Sequence, residues 1–131
     1  MGLREKQFIR KVESETLPAL QAELKEITAG GTFSWEIVWD SFDNNMQVME
    51  TFEYIGLRQL KEALEDICYN DLGQESVREG LKTIKFQNFA EPPQVRAIFK
   101  EGTLFINGSW GNPGEGYPPA GEIRRVLEDG L

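Results

Sequence analysis

A chain of 131 residues, 40% of them hydrophobic, has enough apolar side chain to bury one core and does not read as a disordered acidic tail. Its formal charge of −8 opposes a phosphate backbone, whose neutralisation takes clustered Lys and Arg; here Arg4, Lys6, Arg10 and Lys11 are interleaved with Glu5, Glu13 and Glu15. The absence of histidine and the single cysteine, Cys68, exclude histidine-based triads, ordinary zinc sites and an intrachain disulfide.

The stretch after Met1, "GLREKQFIRKVESE", is charged throughout and does not resemble a signal peptide, and no apolar run approaches the length of a membrane span. These features predict a single domain over residues 1–131 in a reducing, cytoplasmic setting, without membrane or nucleic-acid contact.

Residues 3–28 read as the first helix. Ile9, Val12, Thr16, Leu20, Leu24 and Ile27 recur at steps of three and four and make one apolar stripe. Pro18 interrupts it without changing its phase, which predicts a kink and not a break. Gly30-Gly31 ends the helix. "FSWEIVWD" then alternates, so Phe33, Trp35, Ile37 and Trp39 share one face of a strand. That face is expected to be the core side; the other reading is an exposed aromatic platform.

"SFDNN" turns the chain into a helix with Asp43 or Asn44 as N-cap and Met49, Phe52, Leu60, Leu64 and Ile67 on its buried side. Gly56 inside this pattern bends the helix or admits a close neighbour. A shorter helix follows, capped by Asp71 with Gln74 completing a capping box, and it stops at Gly80. From Lys82 the period becomes two: "TIKFQNF", "QVRAIF" and "TLFINGSW" are three strands, the last two joined as a hairpin by Glu101-Gly102. "AEPP" joins the first two, expected to be antiparallel neighbours. "AGEIRRVLEDG" closes the chain as a helix. The fold class is therefore α+β: a kinked N-terminal helix, one strand, two or three helices, a three-stranded antiparallel meander and a C-terminal helix, with a single sheet covered by helices. The long helical crossover after the first strand permits a parallel pairing for it, at a position the pattern does not specify.

The marked shift in composition is "INGSWGNPGEGYPPAGE", from Ile106 to Glu122. It has no Lys or Arg, lacks the Gly-Lys-Ser/Thr ending of a phosphate loop, and lacks the glycine spacing of a dinucleotide fingerprint. Two readings stand. It is a connector whose turns need Gly and Pro, or a recognition loop in which Trp110 and Tyr117 offer flat apolar surface beside Asn112 and Glu115. "WDSFDNN" sets Asp40 and Asp43 just after a strand. It lacks the alternating ligands, Gly and Glu of a calcium loop, so it reads first as cap and turn and second as a weak cation site. Asp40, Asp43, Glu115 and Glu122 could converge as acid and base, but with 22 acidic residues some carboxylates meet by chance. Cys68 keeps helical phase with Leu64 and reads as core. Ser109 has no histidine to activate it.

No catalytic motif emerges. The expected function is a non-catalytic protein-binding module, an acidic inhibitor or immunity-type protein that caps a basic partner. Its contacts would be Trp110, Tyr117, Glu115, Asn112, Asp40 and Asp43, with no cofactor and no metal. The alternative is binding or processing of a small polar ligand such as a sugar, with Trp110, Tyr117 and Trp39 stacking and Asp40, Asp43 or Glu115 hydrogen-bonding.

Overall fold

The computed structural model describes residues 2–112 and 116–131. The first helical run is continuous but not uniform. α1 (Leu3–Lys11) and α2 (Leu17–Ile27) are joined by a π-helical turn, Val12–Thr16. Pro18 stands in the first turn of α2, and in an unbroken α-helix its ring would press on the carbonyl four residues back. The wider turn accommodates this, so the expected kink takes the form of one inserted residue. It also shifts the stripe: the buried residues step from Val12 to Leu17, and Thr16 lies only partly buried.

The same device recurs in the second helical run. α3 (Met46–Thr51) and α4 (Leu57–Ile67) flank a π turn, Phe52–Gly56, and burial steps from Phe52 to Leu57. Its N-cap is Asn45, whose side chain accepts from the Val48 N–H at 3.2 Å. The expected caps, Asp43 and Asn44, are instead both left-handed, at φ 55, a region Asp and Asn tolerate better than other side chains. α5 (Asp71–Gly80) is capped by Asn70, not Asp71, because the Asn70 side chain reaches the Gly73 N–H at 2.9 Å. Gln74 makes no capping box; it donates to the Ile27 carbonyl at 3.3 Å and ties α5 to the end of α2.

The sheet contains β1 (Ser34–Val38), β2 (Thr83–Asn88), β3 (Ala97–Lys100) and β4 (Thr103–Gly108) in the order β1-β2-β4-β3. β1 is parallel to β2 and β2 to β4; β3 is antiparallel to β4. The β3–β4 hairpin and its turn are as expected, with Glu101 at φ 51 and Gly102 at φ 80. The three-stranded antiparallel meander is not. β2 neighbours β4, in parallel, and residues 89–96 carry the chain past the end of β4 to the far edge. The reason is burial. Ile84, Phe86, Leu104 and Ile106 are all buried, so β2 and β4 both belong in the middle of the sheet, whereas Ile98 of β3 is 39% exposed and suits an edge. A period of two identifies the face of a strand but not its neighbour.

The register lines the inner face up in rows. Trp35, Ile84, Leu104 and Phe99 form one; Ile37, Phe86, Ile106 and Ala97 form the next. These rows join a core to which α6 (Ala120–Gly130) adds Ile123 and Leu127. The face expected to be core, Phe33 to Trp39, does lie on this side: Phe33 is buried, and Trp35, Ile37 and Trp39 are partly buried against the core. The opposite row, Glu36, Lys85, Phe105 and Ile98, faces away from it. No described helix is long and apolar enough to cross a membrane.

Candidate functional site

Because β1, β2 and β4 run in parallel, Val38, Asn88 and Gly108 all finish at one end of the sheet. The segments that leave them gather there, where α/β sheets usually bind ligands. They line an open cleft of about 560 Å³. The first segment supplies Asp40, Asp43 and Asn45, the second Asn88, and the third Ser109 and Asn112. The described lining includes no Lys or Arg, and Asp40, Asp43 and Asn112 are exposed. Three residues expected to form the site are therefore brought together, from two separate stretches of chain.

Asn88 holds the three segments in place. Its backbone N–H donates to the Ser41 hydroxyl at 2.9 Å, and its side-chain amide donates to the Ser41 carbonyl at 3.1 Å. Its side-chain oxygen accepts from the Trp110 backbone N–H at 3.1 Å. The buried Ser109 hydroxyl donates to the Ala90 carbonyl at 3.2 Å, and the Asn112 amide meets the same carbonyl at 3.3 Å. These bonds engage Asn88, Ser109 and Asn112, whereas the Trp110 indole N–H below them is buried without a partner and the two carboxylates are left exposed.

Trp110 is not at the rim. It is 1% exposed and lies beneath the cleft, stacked on Phe42 at 6.1 Å and edge-on to Phe52 at 5.3 Å. Two glycines make this position. A Cβ on Gly56 would stand 3.1 Å from the Trp110 Nε1, and one on Gly108 would stand 3.0 Å from the ring. In this conformation the ring offers no surface to a partner or a sugar. Its contribution is to back Phe42, which lines the cleft together with Asp40, Asp43 and Asn112. Trp39, the third ring considered for stacking, packs edge-on against Phe8 and Phe52.

Tyr117 is half-buried against the core, and its carbonyl accepts from Arg96 at 3.2 Å. Glu122 does not converge with Asp40 and Asp43 but pairs with Arg96 at 2.7 Å. Glu115 lies outside the described residues. Cys68 is buried at the end of α4, where burial pushes its thiol up to about 11 while Arg78 pulls modestly the other way. A thiol held protonated in this way is a poor nucleophile at neutral pH. Among the described residues no group of three or more His, Cys, Asp or Glu is arranged to hold a metal ion.

Asn88, Ser41 and Asn45 are site residues that sequence reading passed over. Asn88 ends "TIKFQN", but an antiparallel meander would have sent the ends of β2 and of its chain neighbour in opposite directions. Only the parallel pairing collects the strand ends and gives a terminal Asn two loops to bridge. No family model, curated protein or solved structure matches the chain.

Proposed function

We propose that this chain is a non-catalytic binding module of the inhibitor or immunity type, whose cleft receives a cationic side chain of a basic protein partner. One observation carries the reading: Asp40 and Asp43 stand exposed at the rim of a polar cleft whose described lining has no cation. A guanidinium or ammonium group entering there meets two carboxylates and the Asn112 amide. The surrounding charge of −8 adds long-range attraction, which raises the encounter rate with a basic surface and falls with salt. The same charge disfavours nucleic acid as the partner. A reducing, cytoplasmic location is part of this proposal. The sugar-like alternative is weaker, because Trp110 lies in the core and Tyr117 packs against it, which leaves no described indole at the cleft to stack on a pyranose ring.

Backbone amide shifts during titration with arginine methyl ester, and separately with neutral monosaccharides, test the proposal. Arginine should move the Asp40, Asp43 and Asn112 resonances, more at low salt, and the paired Asp40→Asn and Asp43→Asn substitutions should abolish the response. Shifts with sugar and none with arginine would replace this reading with the small-ligand one.

A further inference from the structure

β1 is an edge strand, and its outer side carries the signature of a strand-addition site. The Ser34 N–H donates to the Lys82 carbonyl at 2.9 Å, so the backbone groups of Ser34, Glu36 and Val38 serve β2. By the alternation of a parallel ladder, those of Phe33, Trp35 and Ile37 point outward. At the start of the strand a side chain already occupies that edge. The Gln21 side chain accepts from the Phe33 N–H at 3.1 Å and donates to the Gly31 carbonyl at 3.1 Å. These two groups, two residues apart, are the pair one residue of a neighbouring parallel strand would take. Gln21 therefore imitates a strand partner for one step, and beyond it no described strand continues the ladder along Trp35 and Ile37.

A groove of about 440 Å³ runs beside this edge, lined by Leu17, Pro18, Phe33 and Trp35 with Glu13 at its margin. Every second side chain of an added strand would enter it, as alternate residues do in strand-addition complexes. The two edges of the sheet also differ. β3 is approached through Pro92 and Pro93, ends on Lys100 and packs against α6, the usual means of blocking an edge. β1 has no Lys and no Pro, and its pairing with β2 is unbroken from Ser34 to Val38. Of the carboxylates near it, Glu13 accepts from the Trp39 indole N–H at 3.4 Å and lies beside Lys6 and Arg10, whereas Glu36 stays exposed on the opposite face with Lys85 at 3.6 Å.

We infer that the outer edge of β1 and the adjoining groove receive an extended, basic segment of a partner protein as a fifth strand, with apolar residues in the groove and cations on the opposite face, toward Glu36. The inference shares with the proposed function only the basic character of the partner; it uses no residue of the cleft.

The probe is an acetylated, amidated nine-residue peptide of alternating valine and arginine, followed by amide hydrogen exchange and backbone shifts. Exchange at Trp35 and Ile37 should slow as peptide is added, with the inner amides of Ser34 and Glu36 unchanged. Ile37→Pro removes an outward donor without touching the β1–β2 ladder and should weaken binding by about tenfold. The surface substitution Glu36→Lys, which puts no backbone group at risk, should weaken it by about fivefold at low salt. Asp40→Asn with Asp43→Asn should leave the protection at Trp35 and Ile37 intact, whether or not the cleft binds arginine. Peptide binding that leaves these two amides unprotected, or no binding at millimolar peptide, overturns the inference. Protection that instead grows with protein concentration and without peptide assigns the edge to a second copy and overturns the partner assignment.

Discussion

The two ends of the parallel strands use their polar groups in different ways. At the end where the strands begin, the backbone groups are consumed by the fold, and the exposed carboxylates there, Glu79 and Glu101, come from a helix end and a hairpin turn. The Lys82 and Thr83 N–H groups both donate to the Gly102 carbonyl, at 2.8 and 3.1 Å, and Arg78 reaches the Thr28 carbonyl at 2.9 Å. Thr28 is buried there, and its hydroxyl closes on Leu24 at 2.7 Å. At the end where the strands finish, Asn88 and Ser109 do the same internal tying, but Asp40 and Asp43 remain outside the network, on a rim with no described cation. A paired or satisfied polar group is structural. A pair of exposed carboxylates left unused by the fold is available for binding.

The largest expected effect is at Trp110. If it supports the cleft from the core through Phe42 and is not its contact surface, Trp110→Ala should cost about 3–5 kcal/mol in denaturant unfolding, the range for a large buried ring. Any loss of partner binding should then track the unfolded fraction. A stable mutant with weakened binding would return Trp110 to the rim and break the contrast between core support and rim.

Asn88 comes next. Asn88→Ala leaves the Trp110 backbone N–H and the Ser41 carbonyl without their partner, at a cost of about 2–3 kcal/mol by the same measurement. Cleft amide shifts should spread from Ser41 to Asn112, because one side chain bridges both segments. An effect confined to one segment would show that the loops are held independently.

Cys68 probes the region next to Arg78, near the closed end of the strands. Its thiol titrates near 11 in the fold, above the ordinary cysteine value, so the folded state holds the proton more tightly than the unfolded chain. The stabilisation from this group is complete below the unfolded pKa and is lost as pH rises toward 11. It should amount to no more than about 2 kcal/mol once partial solvent screening is allowed for. Cys68→Ser should flatten the alkaline limb of the stability curve. In the native protein at pH 8, alkylation of Cys68 should be far slower than in denaturant, and equal rates would mean the site is open.

The smallest effect on stability is expected from Asp40→Asn with Asp43→Asn, within about 0.5 kcal/mol of the parent, since neither carboxylate is buried. The same variant should lose the response to arginine. A marked loss of stability would mean that these carboxylates are structural after all, and the two ends of the strands would then not differ.

Much of this could be read from the chain. Alternation identified the inward face of Phe33 to Trp39, Glu101-Gly102 marked its hairpin, and Gly30 and Gly80 marked helix ends, because these are properties of short segments with a fixed period or a required φ. Composition excluded histidine-based triads and a disulfide within this chain. The π turns were less legible. The five-residue steps from Val12 to Leu17 and from Phe52 to Leu57 are present in the sequence, yet a stripe at spacings of three and four absorbs them by substituting Thr16 for Leu17. Strand neighbours depend on which strands are most deeply buried, and that is a property of the assembled core. It decided that β2 pairs with β4 in parallel, and hence that Asp40, Asn88 and Asn112 share one cleft. Tertiary packing likewise decided the position of Trp110. Its indole surface would suit a partner or a core equally well, and the space that Gly56 and Gly108 leave for the ring exists only once the helix and the strand have met.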